Sequence, residues 1–370
     1  LRFRALVLSA GFGTRLAPLT DQVPKPLTPV RGTCPLELAL RRLAAAGCEA
    51  AAINTHHQGE LIRRAVGEGD DPRWPGMEVR FSDEPEILGT FGALGPLAAF
   101  FDPADAIVVI NGDSLCRWPV KGLLRRHRRR HAVATLLFTT AADPRTFGGG
   151  VAVGRDGRVR SFAPPATAGG GPTGGDGDGV RRLVFAGAQV LSPDLLARVP
   201  QGRSETVPDL YRPLIAEGAH LAAYTTGRAW YDLGTPRRLR DAALAGGARV
   251  RWSPLKPGTW IGQGARVEHG ARVARTVIES EAVIEAGARA RRCLLLPGAR
   301  VAAGARLGGC VVGYGAVVPG TTRVSDRLIC RRTADATVPP GASVVEDLIY
   351  APLDPQRPPE TRRPESGPTA

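Results

Sequence analysis

Residues 6–30 read LVLSAGFGTRLAPLTDQVPKPLTPV: a short apolar run ends in a glycine-bracketed loop, Arg15 follows, and Lys25, the first lysine of the chain, stands between Pro24 and Pro26. A strand, a tight glycine turn and a helix start commonly cradle phosphate, because glycine lets the backbone approach and amides at the helix start donate to anionic oxygens. Spacing excludes two familiar versions. The chain has no GxxxxGK(S/T) sequence, and GFGTRL carries Leu16 where a dinucleotide fingerprint places its third glycine. The two prolines stiffen the chain around Lys25 and limit its wandering. A second candidate is the Asn111-Gly112-Asp113 turn after the apolar run AIVVI. Its aspartate can cap the turn or offer oxygen to a hard cation.

These residues need elements to hold them. From Arg4 to about Leu244, short β-rich runs at 3–10, 50–54, 77–83, 106–112 and 133–140 alternate with helical candidates such as 35–46 and 58–66. That alternation predicts an α/β domain over 1–245, a mostly parallel sheet covered on both faces. Ligands of such sheets bind beyond the carboxyl ends of the strands, where the glycine loop and the 111–113 turn both fall. Within this domain the segment 163–179, APPATAGGGPTGGDGDG, is expected to be a mobile loop, because it cannot bury enough surface to offset its ordering entropy.

After about Ser253 the pattern changes. The blocks 264–280, 281–297, 298–314 and 315–331 align with a period of 17. Val267, Ile284, Val301 and Val318 share one place, Gly270, Gly287 and Gly304 another, and the apolar pairs 277–278, 294–295, 311–312 and 328–329 a third. Roughly six residues per side and three sides per coil are the signature of a parallel β-helix, whose coils bury a continuous core only when stacked. The pattern resembles the hexapeptide-repeat left-handed β-helix and assigns it to 254–349. The proline-rich stretch 351–370 is expected to be a disordered tail.

Composition narrows the classes. A chain of 370 residues predicts two or three domains at roughly 150 residues each. No apolar run is long enough to span a bilayer, so no membrane partner is expected. The first ten residues faintly imitate a signal peptide but lack a cleavage site and suit a buried strand better. The six cysteines, at 34, 48, 116, 293, 310 and 330, form no CxxC pair or zinc-type cluster and read as reduced thiols of a cytoplasmic protein. The net charge of +14 raises nucleic acid as a partner, yet only Lys25, Lys121 and Lys256 among the 49 cations are lysine and the arginines are spread throughout. The densest run, Arg125–Arg130, has no interleaved aromatics and reads as the wet face of a helix starting near Pro119, with no nucleic-acid partner expected.

Taken together, SAGFGTRLAPLTDQVPKPLTPV at 9–30, EPEILGTFGAL at 84–94, VVINGDSL at 108–115, FAGAQVLSP at 185–193 and WYDLGTPRRL at 230–239 closely resemble, in order, the signatures of the sugar-1-phosphate nucleotidyltransferases, the nucleotide-sugar pyrophosphorylases. The resemblance implies a Rossmann-like nucleotidyltransferase domain followed by the β-helix. It also implies a reaction in which the phosphate oxygen of a sugar 1-phosphate attacks the α-phosphorus of a nucleoside triphosphate and expels pyrophosphate. A phosphate monoester has its second pKa near about 6, so no general base is required; positioning and neutralisation of crowded anions are. In this reading Arg15 clasps the departing oxygens and Lys25 supplies a compact charge at the attacking phosphate or the α-phosphate. Ala10, Gly11, Gly13, Thr14, Gly89 and Thr90 bind the nucleotide, Gly149 and Gly187 line the sugar, and Asp113 and Asp232 ligate Mg²⁺.

The sequence departs from the family at two points. Phe91 stands where alanine is usual, and the usual Glu-Lys-Pro before the sugar-facing strand is replaced by VRSFAPP at 159–165, with Arg181 or Arg182 as candidate substitutes from the loop. Overall similarity favours GTP and mannose 1-phosphate, giving GDP-mannose. Thymidylyl or uridylyl transfer to glucose 1-phosphate is the main alternative, and a catalytically silent homologue that senses nucleotide sugars is another. The dull rivals for the two aspartates are turn capping at Asp113 and helix capping before Pro236 at Asp232. Acyl transfer by the β-helix would need an activating histidine, for which only His269 lies within the coils. The β-helix is expected instead to be a surface for homo-oligomer assembly, since its open ends and flat faces favour self-association.

Overall fold

A computed structural model describes residues 1–163, 179–245 and 258–354. Most of the expected loop at 163–179 and the tail from 355 lie outside the described residues, as does the stretch 246–257. The chain divides into two compact units. The first comprises Leu1–Phe12, Val23–Thr28 and Thr33–Asp232; the second comprises Gly13–Gln22, Pro29–Gly32 and the chain from Leu233 onward.

In the first unit the elements run β1 (Phe3–Leu8), α1 (Pro35–Ala44), β2 (Ala50–Thr55), α2 (Gly59–Val66), β3 (Gly69–Asp70), β4 (Glu78–Asp83), α3 (Gly89–Gly92), α4 (Ala98–Phe101), β5 (Ala106–Asn111), β6 (Ser114–Cys116), α5 (Val120–Arg130), β7 (Ala134–Thr139), β8 (Val151–Val153), β9 (Val159–Phe162), β10 (Arg181–Leu191), α6 (Arg212–Ala216), β11 (Leu221–Thr226) and β12 (Trp230–Asp232). All five apolar runs form strands. The helix expected from 58 begins at Gly59, because Gln58 is left-handed, with φ of 55°. The main sheet has the order β11-β7-β10-β5-β1-β2-β4-β3. Its β2-β1-β5 centre is parallel, as is β7 with β11, while β10 runs antiparallel to both β5 and β7.

Alternation along the strands sends side chains to two cores. Ala5 and Val7 of β1 join Leu36, Leu40 and Leu43 of α1, Ile62 of α2 and Leu123 of α5 in one. Leu6 joins Phe91, Phe101, Leu195 and Tyr211 in the other. On α5 the residues Leu123, Leu124 and His127 are buried while Arg125 and Arg128–Arg130 are exposed, so the basic run occupies the outer face.

The second unit carries three ladders of short parallel strands, the arrangement of a left-handed β-helix repeat. Each residue pairs with one 17 further on: Val277 with Leu294 and Leu294 with Val311, Ile284 with Val301 and Val301 with Val318, and Val273 with Ala290 and Ala290 with Leu307. The Ile284 and Val273 columns point inward and form one core with Ile278, Leu295 and Val312, the neighbours of the Val277 column. Gly270, Gly287 and Gly304 stack at one corner with φ between 76° and 87°, which suits glycine. After Arg327–Arg331 the chain turns back, and Leu348–Pro352 pairs antiparallel with it, so the last strand takes in Ala351 and Pro352, the first two residues of the stretch assigned to the tail.

Helix α7 (Pro236–Ala245) packs in the same unit. Arg240, only 3% exposed, donates from Nη1 to the Gly309 carbonyl at 2.5 Å and to Asp326 at 3.0 Å. The Arg31 guanidinium donates to the carbonyl of Ala243 at 2.7 Å, near the end of α7. Glu279 accepts the main-chain N–H groups of Arg31 at 2.5 Å and Gly32 at 3.0 Å. Burial dominates there and pushes the Glu279 carboxyl up to about 7, against the two N–H donors and the Arg31 charge.

Candidate active site

Lys25 opens a short 3₁₀ turn, Lys25–Leu27, and is 7% exposed. Its Nζ donates to Asp113 Oδ2 at 2.5 Å and lies 3.8 Å from Asp232 Oδ1. Three of the four charged residues singled out in the sequence therefore meet within the first unit. Asp113 follows β5 in a turn that closes on the end of β1. Gly112 N–H donates to the Leu8 carbonyl at 2.9 Å, and a Cβ at Gly112 would stand 2.5 Å from Ser9 Oγ, so no side chain fits there. Asp232 is brought in by the pairing of β12 with β6, where it lies opposite Ser114, the neighbour of Asp113. In the second unit, Thr235 Oγ1 accepts the Arg238 N–H at 3.3 Å at the start of the following helix.

One ammonium facing two carboxylates leaves a net negative charge. The Asp113 side chain is 35% exposed, which leaves oxygens accessible. Mg²⁺ is commonly held by one or two carboxylates together with phosphate oxygens and waters, and this pair supplies that number. Among the described residues no group of three or more His, Cys, Asp or Glu side chains gathers as a self-sufficient metal centre.

The main chain beyond β1 is fixed from the side. Ser9 N–H donates to Asn54 Oδ1 at 2.7 Å, and Asn54 Nδ2 donates to Glu84 Oε1 at 2.8 Å. The second Glu84 oxygen accepts the Leu88 N–H at 2.9 Å. One buried carboxylate thus links the start of the Ala10–Gly11 loop to the turn that presents Gly89. Gly89 has φ of 79°, and a Cβ there would stand 2.4 Å from the Ser204 carbonyl. Thr90 donates both its N–H and its hydroxyl to Glu205 Oε2, at 3.1 and 2.7 Å. Phe91 is wholly buried in the second of the two cores, so the departure from alanine fills core space. Sequence reasoning missed Asn54, Glu84 and Glu205. Asn54 and Glu84 lie 30 residues apart and Glu205 lies 115 from Thr90, and no local pattern marks their side chains as turned inward.

On the other side of Asp113, Gly187 has φ of 77°, and a Cβ there would stand 3.2 Å from Asn111 Cβ. It sits where the register of β10 against β7 shifts. Gly149 has φ of 84° and accepts a weak 3.4 Å contact from Arg182 Nη1. Arg181 and Arg182 are strand residues of β10, paired with β8, and not part of a loop.

Gly13, Thr14 and Arg15 belong to the second unit. Gly13 is left-handed, with φ of 66°, and its carbonyl accepts the Leu16 N–H at 2.8 Å, closing the turn. Arg15 is exposed. His269 is exposed as well. Among the described residues no helix is long and apolar enough to cross a membrane.

Comparison with known proteins adds to this geometry. Residues 4–247 match the family model of nucleotidyl transferases, and residues 245–328 match the model of the GlmU-like C-terminal hexapeptide. The mannose-1-phosphate guanylyltransferase of Mycobacterium tuberculosis is 32% identical over 234 residues, which cover 63% of this chain and 61% of that protein. The mannose-1-phosphate guanylyltransferase catalytic subunit beta of Danio rerio is 29% identical over 235 residues, covering 63% of this chain and 62% of its own. The chain thus spans about three fifths of these relatives' length. The crystal structure of HddC from Yersinia pseudotuberculosis superposes with a TM-score of 0.52 at 20% identity, covering 65% of this chain and 97% of that one, a likeness of fold.

Proposed function

Because this chain belongs to the nucleotidyl transferase family, we propose that it transfers a nucleotidyl group from a nucleoside triphosphate to a sugar 1-phosphate, with release of pyrophosphate. The observation that carries this reading is the buried Lys25 ammonium set between the carboxylates of Asp113 and Asp232. In the reaction a phosphate oxygen of the sugar 1-phosphate forms a bond to the α-phosphorus while the bond from that phosphorus to the β-phosphate bridging oxygen breaks. The nucleophile is already anionic, so no proton has to move. Lys25 holds a point charge where phosphates crowd, in a wall that excludes water on most sides. The main chain at Ala10–Gly11 and Gly13–Thr14 offers amides to the triphosphate, and Arg15 offers a planar guanidinium to the departing oxygens. Thr90, anchored on Glu205, keeps the Gly89 turn in place for the nucleotide. Gly149 and Gly187 admit the sugar through their backbones.

Asp113 and Asp232 would hold Mg²⁺, which when bound supplies charge neutralisation to the phosphates. The finer reading is GTP with mannose 1-phosphate to GDP-mannose, supported by the names of the relatives that match residues of this domain. Pyrophosphate release with four nucleoside triphosphates, several sugar 1-phosphates and Mg²⁺ tests it. Turnover is expected, and fastest with GTP and mannose 1-phosphate. Turnover with another pair would keep the transfer and replace the substrates; no turnover with any pair would favour a silent, sugar-nucleotide-sensing homologue.

A further inference from the structure

The third ladder of the repeat unit stacks arginine on arginine. Arg272 pairs with Arg289, Arg289 with Arg306 and Arg306 with Arg323, so four coils place one guanidinium each in a single column. All four are exposed, and Arg291 lies on the same ladder two residues from Arg289. Neighbouring strands stand about 4.8 Å apart, so the column gathers four charges within roughly 15 Å. Like charges directly opposite in a sheet are destabilising. Nothing within the unit offsets them: among the described residues Arg272, Arg289 and Arg306 make no side-chain hydrogen bond or ion pair, and Arg323 bonds only the carbonyls of Gly320 and Thr322.

The adjoining ladder is built differently. There Arg266 and Arg300 alternate with Val283 and Val317, and Arg300 is met by Glu285 at 2.7 Å. Elsewhere exposed arginines also pair with acids, as Arg198 does with Glu217 and Arg145 with Asp143. A general excess of arginine accounts for many such residues, but not for an unanswered arginine at the same place in every coil.

We propose that this face of the β-helix docks on an anionic lipid surface through its arginine column. The outward positions of the ladder carry arginine, alanine, glycine and serine, with no aromatic ring on which bases could stack. The phosphates of a duplex wind around a convex surface and leave a straight column, whereas a planar anionic surface meets all four guanidinium groups at once. A second copy of this chain is a poor occupant, because a two-fold contact would set the column against itself. The face holds no exposed apolar anchor, so docking is peripheral, reversible and screened by salt.

Co-flotation of the full chain with phosphatidylcholine vesicles that contain phosphatidylserine, and with vesicles of phosphatidylcholine alone, tests this. Binding is expected only to the anionic vesicles, and it should fall as salt rises. Arg289→Glu with Arg306→Glu should weaken it by roughly tenfold or more, on the scale of about 1 kcal/mol per basic residue at such a surface. The control Arg145→Glu with Arg198→Glu removes the same charge elsewhere and should bind nearly as the wild type does. Should the reversed column fail to fold, Arg289→Ala with Arg306→Ala serves, and relief of repulsion should leave its melting temperature equal or higher. Failure to float with anionic vesicles would overturn the proposal. So would equal loss in the column and control variants, or tighter, column-dependent binding of a duplex oligonucleotide.

Discussion

Lys25 is nine-tenths buried and answers two carboxylates with one charge, so both its length and its compactness matter. Lys25→Ala and Asp113→Asn are each expected to lower pyrophosphate release by more than about 100-fold, the scale of losing one preorganised electrostatic group. Far-UV circular dichroism should stay unchanged, and near-normal turnover in either variant would remove the assigned role. Lys25→Arg should fail to restore activity, because a planar fork does not fit where a point charge lies 2.5 Å from Asp113. Gly112 makes a different kind of contribution. Gly112→Ala would drive a methyl group into Ser9 Oγ and the Leu8 carbonyl. It should cost about 1–3 kcal/mol of stability in urea unfolding, as overpacking does, and displace Asp113 enough to slow turnover. The residues of this site were legible in unequal measure. Lys25 and Asp113 lie 88 positions apart, and what joined them beforehand was motif resemblance, not spacing. Glu205 escaped notice because its partner Thr90 is 115 residues away and a glutamate before a threonine is an ordinary surface sequence.

At the level of elements, two buried groups give the units opposite responses to pH. His127 of α5 sits against Thr135 and Ser192, and burial holds its imidazole down, from 6.5 to about 4. Its folded pKa is depressed below the unfolded one, so the stability it contributes is present above about pH 6.5 and is lost as pH falls toward 4. Glu279 is raised, from 4.5 to about 7. Its contribution is complete below about pH 4.5 and is lost as pH rises through 7. Each is worth at most about 3 kcal/mol. Urea unfolding between pH 5 and about 8, followed by Trp74 of the first unit and Trp260 of the second, should give slopes of opposite sign. Glu279→Gln should flatten the second alone, and an unchanged slope in that variant would refute the assignment. The strands themselves were readable because β1, β2, β5 and β7 are nearly continuous apolar runs. The reversed direction of β10 was not, since a buried apolar strand reads the same whichever way its neighbours run. Arg181 and Arg182 were assigned to a loop for a related reason: a glycine-rich stretch precedes them, and strand pairing with β8 is invisible in one sequence.

For the molecule as a whole, the repeat was the most legible feature, because the inward places recur in every coil and any slip would turn Val301 outward. The contact of Glu279 with Arg31 and Gly32 was the least, spanning 248 positions with no repeat to announce it. The same regularity has a further effect. Every ladder bond joins a residue to its counterpart one coil on, so excising residues 281–297 would hand Val277 directly to Val311 and leave the remaining columns aligned. Such a shortened chain should still fold and melt cooperatively, as circular dichroism would record, whereas removal of a single residue from that stretch should not. The length of this half of the protein is therefore quantised: it can grow or shrink by whole coils through duplication or loss of a coding segment, while intermediate lengths are forbidden to it.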